Sequence, residues 1–121
     1  NTTKLIIAET IANPLLHVAD IEGLAEIAHA SHARLLIDNT FASPVVCRPL
    51  ESGADLVVES MTKIMNGHSD VILGCLCGKN AAWDRVSLSA TTWGLFASPH
   101  SCWLSMRGMA TMDLRVRQAS T

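Results

Sequence analysis

Four short apolar runs, each almost unbroken and each closing on polar residues, constrain this chain more than any other feature of its sequence. They occupy residues 4–9, 34–39, 55–60 and 71–77. A strand with one wet face alternates apolar and polar residues, whereas a near-continuous run suits a strand covered on both faces. Between the first two runs, Asn13-Pro14 marks a turn and Asp20 precedes Ile21, Leu24, Ala25 and Ala28 at helical spacing. Asp20 is placed to cap that helix and Glu22 to favour its positive first turn, with the end expected near His32. Buried runs separated by helical or loop segments predict an α/β fold with a mainly parallel sheet flanked by helices. The fourth run is the one free to return antiparallel.

The last third changes character. Ser98-Pro99 is a helix start, with a hydroxyl as cap and proline in the first turn, and Trp103, Met106, Met109 and Leu114 follow at roughly helical intervals. One or two helices are expected from residue 81 onward, broken around residues 92–98 and at Gly108. Trp83, Trp93 and Trp103 read as core or interface packing.

Composition narrows the function. With 121 residues, 49% of them apolar, the chain suits one modest domain. A net charge of −2 and the lack of like-charge runs give no footprint for nucleic acid. No apolar run approaches the roughly 20 residues that span a bilayer, so no membrane partner is expected. The four cysteines form neither a C-x-x-C pair nor half of a zinc ribbon. They read as buried free thiols in a reducing, cytoplasmic setting. His29 and His32 fall three apart with no second pair of ligands, so no metal is expected. The chain starts without Met or a signal peptide, and is expected to begin inside a longer protein.

Ligands of open α/β sheets bind beyond the carboxyl ends of the strands. Those ends supply Glu9 with Asn13, Asp38 with Asn39, and Ser60-Met61-Thr62-Lys63. If the strands are neighbours, one small ligand could touch all three. A carboxylate, a lysine and two hydroxyls beside the lysine match the needs of pyridoxal phosphate. The amine holds the cofactor covalently, the carboxylate keeps the pyridine nitrogen protonated, and the hydroxyls bind the phosphate.

The motifs support this reading. Asp38-Asn39-Thr40-Phe41, Arg48-Pro49-Leu50-Glu51, and Ser60-Met61-Thr62-Lys63 leading into Asn66-Gly67-His68-Ser69-Asp70 resemble the trans-sulfuration (Cys/Met-metabolism) family of pyridoxal-phosphate enzymes. The likeness extends to Glu9-Thr10-Ile11-Ala12-Asn13-Pro14, Trp103 and Arg107-Gly108, covering nearly the whole chain. It implies that Lys63 carries the cofactor, Ser60 and Thr62 contact its phosphate, Asp38 is the pyridinium partner, and Asn13 lies near cofactor and substrate. It also implies the central part of the large domain of a fold-type I, aspartate-aminotransferase-like enzyme. The reaction would be elimination or replacement at the γ or β carbon of a sulfur amino acid or an activated homoserine, in a homotetramer built as a dimer of dimers.

By that likeness, an N-terminal segment supplying further phosphate contacts and a ring-stacking aromatic is absent. So is the C-terminal domain with a carboxylate-binding arginine. Residues 1–121 alone are therefore expected to be inactive. The alternative is a catalytically inactive fragment that keeps the sheet without cofactor. Two departures stand out: Ile11 where proline is common, and Glu59 where His often precedes the Ser-x-Thr-Lys motif. Two other patterns carry no weight. Gly74 to Asn80 imitates a phosphate loop but has three residues between its glycines where four are needed, and His68-Ser69-Asp70 lacks the elbow of a hydrolase triad.

Overall fold

In the computed structural model, which describes residues 2–119, the four runs pair as neighbours. They form β1 (Leu5–Glu9), β2 (Arg34–Asp38), β3 (Leu56–Ser60) and β4 (Gly74–Gly78), in that spatial order. β1, β2 and β3 are parallel, and β4 returns antiparallel along β3. The mainly parallel sheet is the one the apolar runs imply, although β4 begins three residues into its run.

One helix seals one face. In α1 (Ile21–Ala30), Asp20 caps the start by accepting from the Gly23 N–H at 3.0 Å. Its buried stripe of Ile21, Ala25 and Ala28 packs against Leu35, Ile37 and Val57. Because side chains alternate across a strand, Leu36 and Asp38 then belong to the opposite face. A four-residue helix, α2 (Ser43–Val46), follows β2.

Asp55 ties these parts together. Its Oδ2 accepts from the Leu35 N–H at 2.8 Å and lies 3.0 Å from His29 Nε2. Burial pushes its carboxyl up, but the Leu35 N–H, His29 and Arg34 outweigh that and hold it below the usual carboxylate range.

Two expectations need correction. β1 is not buried on both faces: Leu5 and Ile7 are 42% and 66% exposed, and only Ile6 and Ala8 pack on the core. β1 is an edge strand, and among the described residues nothing covers its second face. The cysteines are free, as expected, but Cys77 and Cys102 are exposed and Cys47 and Cys75 only half-buried. Cys75 and Cys77 share one face of the edge strand β4, which explains their access to water. Of the two readings of the tryptophans, core or interface, their exposure within this chain, 79% at Trp93, leaves the interface one.

The last third holds three helices rather than one or two: α3 (Asn80–Thr92), α4 (Pro99–Met109) and α5 (Met112–Ala119). Ser98 caps α4 through the Ser101 N–H at 3.0 Å. The chain continues helically through Gly108 and breaks instead at Ala110 and Thr111. Gly108 serves close approach, because a Cβ there would run into Asn66. No described helix is long and apolar enough to cross a membrane.

Asp55→Ala should cost about 2 kcal/mol, the usual scale for a charge-assisted hydrogen bond to a buried amide. A lowered native pKa means that this stabilisation is present above the ordinary carboxylate range and is lost as pH falls through the native value. Urea denaturation from neutral to acid pH should therefore show the gap between parent and variant closing toward the acid end.

Candidate active site

The parallel register brings three strand ends to one level. Glu9 stands opposite Asp38, and Asp38 opposite Val58, two residues before Ser60. The ladder continues past the strands, with the Thr10 N–H donating to Asp38 O and the Asn39 N–H to Val58 O, both at 2.9 Å. A cleft of about 260 Å³ opens there. Glu9 lines it from the end of β1 with Asn13 just beyond, Asp38 from the end of β2 with Thr40 beyond, and Ser60 from the end of β3 with Lys63 beyond. Ile11 and Phe41 supply its apolar walls.

Thr40 organises this cleft. Its N–H donates to Asp38 Oδ1 at 3.0 Å, and its Oγ1 accepts from the Ser60 N–H at 2.9 Å. One residue thus orients the carboxylate and fastens the hydroxyl-bearing strand to it. Sequence reasoning gave Thr40 no role, although the Asp-x-Thr spacing is that of a local carboxylate-to-amide turn. Asn13 is held by its N–H to Glu9 Oε2 at 3.0 Å.

Lys63 lies at the kink of a wide turn, Met61–Met65, in which the Asn66 N–H reaches back five residues to Met61 O at 3.0 Å. Lys63 itself departs from helical geometry, with φ −91° and ψ −133°. Wide turns of this kind recur at functional sites because they re-aim a side chain. The lysine is exposed and borders both the 260 Å³ cleft and a larger depression of about 780 Å³ on the far side of the turn.

Asp38, Ser60, Asn13 and Lys63 therefore meet at one cleft, and Thr62 does not join them. Thr62 borders the larger depression, and its hydroxyl accepts from the Leu73 N–H at 3.1 Å. Thr62 thus fastens the turn to the approach to β4. His68 sits against the Asn66 carbonyl rather than against Ser69 or Asp70.

The turn is braced from behind by residues that sequence reasoning missed. The Arg115 guanidinium donates to Ile64 O, to Met65 O at 2.9 Å and to Gly108 O at 3.0 Å. Gly67 has φ +70°, and a Cβ there would collide with that guanidinium, so glycine is needed twice over. Asp70 accepts from Asn66 Nδ2 and Arg107 Nη2, both at 2.7 Å. The Asn66 amide, followed by Arg107, outweighs burial and holds its carboxyl below the usual range. No short-range pattern around position 115 announces this brace, because the carbonyls of the turn lie 50 and 51 residues away.

Comparison with known proteins finds relatives over almost the whole chain. The family model for Cys/Met metabolism PLP-dependent enzymes matches residues 1–121. The cystathionine gamma-lyase of Saccharomyces cerevisiae is 45% identical, with 98% of this chain aligned to 31% of that protein. The L-methionine gamma-lyase of Pseudomonas putida is also 45% identical, over 94% of this chain and 29% of its own length. The crystal structure of cystathionine gamma-lyase from Lactobacillus plantarum, complexed with L-serine, superposes with a TM-score of 0.90 at 43% identity. That match covers 93% of this chain and 30% of the other. The chain spans about three tenths of the length of the relatives it matches.

Arg115→Ala should remove a cation from three carbonyls at once and cost roughly 2–3 kcal/mol. The loss should be local. Amide exchange at Asn66 and Gly67 should accelerate by about tenfold or more, while the amides joining β1 to β2 keep their protection.

Proposed function

The chain belongs to the Cys/Met metabolism PLP-dependent enzymes, and from that premise we propose that the protein catalyses elimination or replacement at the γ or β carbon of a sulfur amino acid or an activated homoserine. The observation that carries the reading is the single cleft at which the Asp38 carboxylate, the Lys63 amine and the Ser60 hydroxyl converge from adjacent strand ends.

This donor set fits pyridoxal phosphate. A carboxylate steadied by the Thr40 N–H is suited to a protonated ring nitrogen, an exposed lysine to a covalent carbonyl link, and a hydroxyl to a phosphate oxygen. When bound, the cofactor supplies an electron sink for charge developing at the substrate α carbon. Lys63 would hold the cofactor through its amine and would take the substrate α proton as a general base. Asp38 keeps the ring nitrogen protonated. Ser60 donates to the phosphate, with Thr62 as its second hydroxyl partner and as the residue that steadies the turn through Leu73. Asn13 contacts cofactor or substrate from the opposite wall.

We assign residues 1–121 to the cofactor-binding large domain. Lys63 is the only cation among the described residues lining the cleft. The phosphate dianion therefore needs further donors from the rest of the protein. Exposed apolar residues such as Ile7, Trp93 and Phe96 are the surfaces which that remainder, or a partner subunit, would cover. The assembly we propose is a dimer of dimers in the cytoplasm.

In the full-length protein, Lys63→Ala should abolish the visible absorbance of lysine-linked cofactor and lower turnover by at least about 10²–10⁴-fold. Borohydride should label the parent at Lys63, and a label at another lysine would refute the assignment. Asp38→Asn keeps the shape but not the charge, and turnover should fall by about ten- to a hundredfold. Full activity there would point to another carboxylate.

A further inference from the structure

A second polar layer lies directly behind the cleft, on the α1 side of the sheet and sealed from water. Thr10 Oγ1 donates to Asn39 Oδ1 at 2.7 Å, and Asn39 Nδ2 donates to Glu59 Oε1 and to Cys47 O, each at 3.0 Å. Thr10, Asn39 and Glu59 are 4%, 0% and 7% exposed. Each is one peptide from a cleft residue: Thr10 follows Glu9, Asn39 follows Asp38, and Glu59 precedes Ser60. Adjacent residues face opposite sides of a sheet, so the two layers stand back to back through the same strand ends.

Glu59 is the odd member of this layer. Its Oε2 is buried with no hydrogen-bond partner, and its side chain borders an apolar cavity of about 250 Å³ walled by Leu50, Val57 and Met65. The ionisable groups around it offer no rescue for an anion. Asp38 repels it across the strand ends, and the half-buried Cys75, its neighbour Cys77, and Cys47 are thiols. Arg48 is exposed and turned to Glu51 at 3.4 Å. An unpaired carboxylate in such a place costs several kcal/mol, which favours the protonated form. Burial, reinforced by Asp38 and only partly offset by Asn39, pushes its carboxyl above the usual glutamate range.

We propose that Glu59 works as a protonated acid and is a positioning residue: through Asn39 it fixes the end of β2 and so the aim of the Asp38 carboxylate. The Asn39 amide has no freedom to turn, since its oxygen is taken by Thr10 and its nitrogen by Glu59 and Cys47. Removing the Glu59 acceptor releases one of those ties next to Asp38. Neutral Glu59 also leaves Asp38 without a second negative charge directly behind it. This inference rests on Asp38 being the ring-nitrogen partner.

The proton has a measurable consequence. With its native pKa raised, Glu59 contributes no penalty below the ordinary glutamate range. As pH rises above that range, the unfolded chain sheds a proton that the folded protein keeps, and stability declines. The test uses the full-length protein and the variants Glu59→Gln, Glu59→Leu and Asp38→Asn. Gln keeps a neutral acceptor for Asn39, so cofactor affinity should stay within about twofold of the parent. Leu keeps apolar bulk without an acceptor, and affinity should fall by about tenfold.

In the cofactor-free protein, Glu59→Gln should flatten the fall of the thermal midpoint from mildly acid to neutral pH. It should also remove the infrared carbonyl band of a protonated acid. Parent-like affinity in Glu59→Leu beside weakened binding in Asp38→Asn would overturn this inference alone. So would the lack of any acid band lost in Glu59→Gln. Unchanged cofactor binding in Asp38→Asn would instead remove the reading on which the inference rests.

Discussion

The backbone ladder at the carboxyl ends of β1, β2 and β3 is the constraint on which the rest of the molecule depends. Two hydrogen bonds beyond the regular strands, Thr10 N–H to Asp38 O and Asn39 N–H to Val58 O, hold three chain segments at one level. A slip of one residue in either pairing would turn Asp38 to the α1 face and Asn39 to the cleft, exchanging a charge for an amide at the ligand and burying the charge. The core guards against that slip, because Leu35, Ile37 and Val57 would be carried out of contact with α1 by the same movement. Packing on one face thus fixes chemistry on the other.

Much of this was legible in the sequence, for a physical reason. Apolar runs ending in polar residues report strands and their carboxyl ends together, so the positions of Asp38, Ser60 and Lys63 followed from local pattern. Asp20 and Ser98 were readable as caps because a cap is satisfied within three residues. Where the pattern depended on distant partners, it misled. The run at residues 4–9 looks like an interior strand, and its composition says nothing about which neighbours are present to cover it. The same holds for Cys77.

The site was legible in its donor types but not in its supports. Nothing within a few residues of Thr40 shows that its hydroxyl will receive the Ser60 N–H from the next strand. Nor does anything near Thr62 show that its hydroxyl will receive the Leu73 N–H from the approach to β4. Glu59 was noticed as a departure, but its buried, half-partnered state emerges only when β4 and the Asn39 side chain close around it.

The brace formed by Arg115 also orders events in time. The turn carrying Lys63 is complete in sequence by Met65, yet the cation that gathers its carbonyls arrives 50 and 51 residues later, on α5. A ribosome adding roughly 5–20 residues each second exposes the turn seconds before its clasp. During synthesis the sheet can form from its own apolar runs, while the lysine stays in a loosely held loop. The Lys63 amine thus acquires its setting only after the strands that flank it have been made, so the turn is finished later than the sheet that carries it.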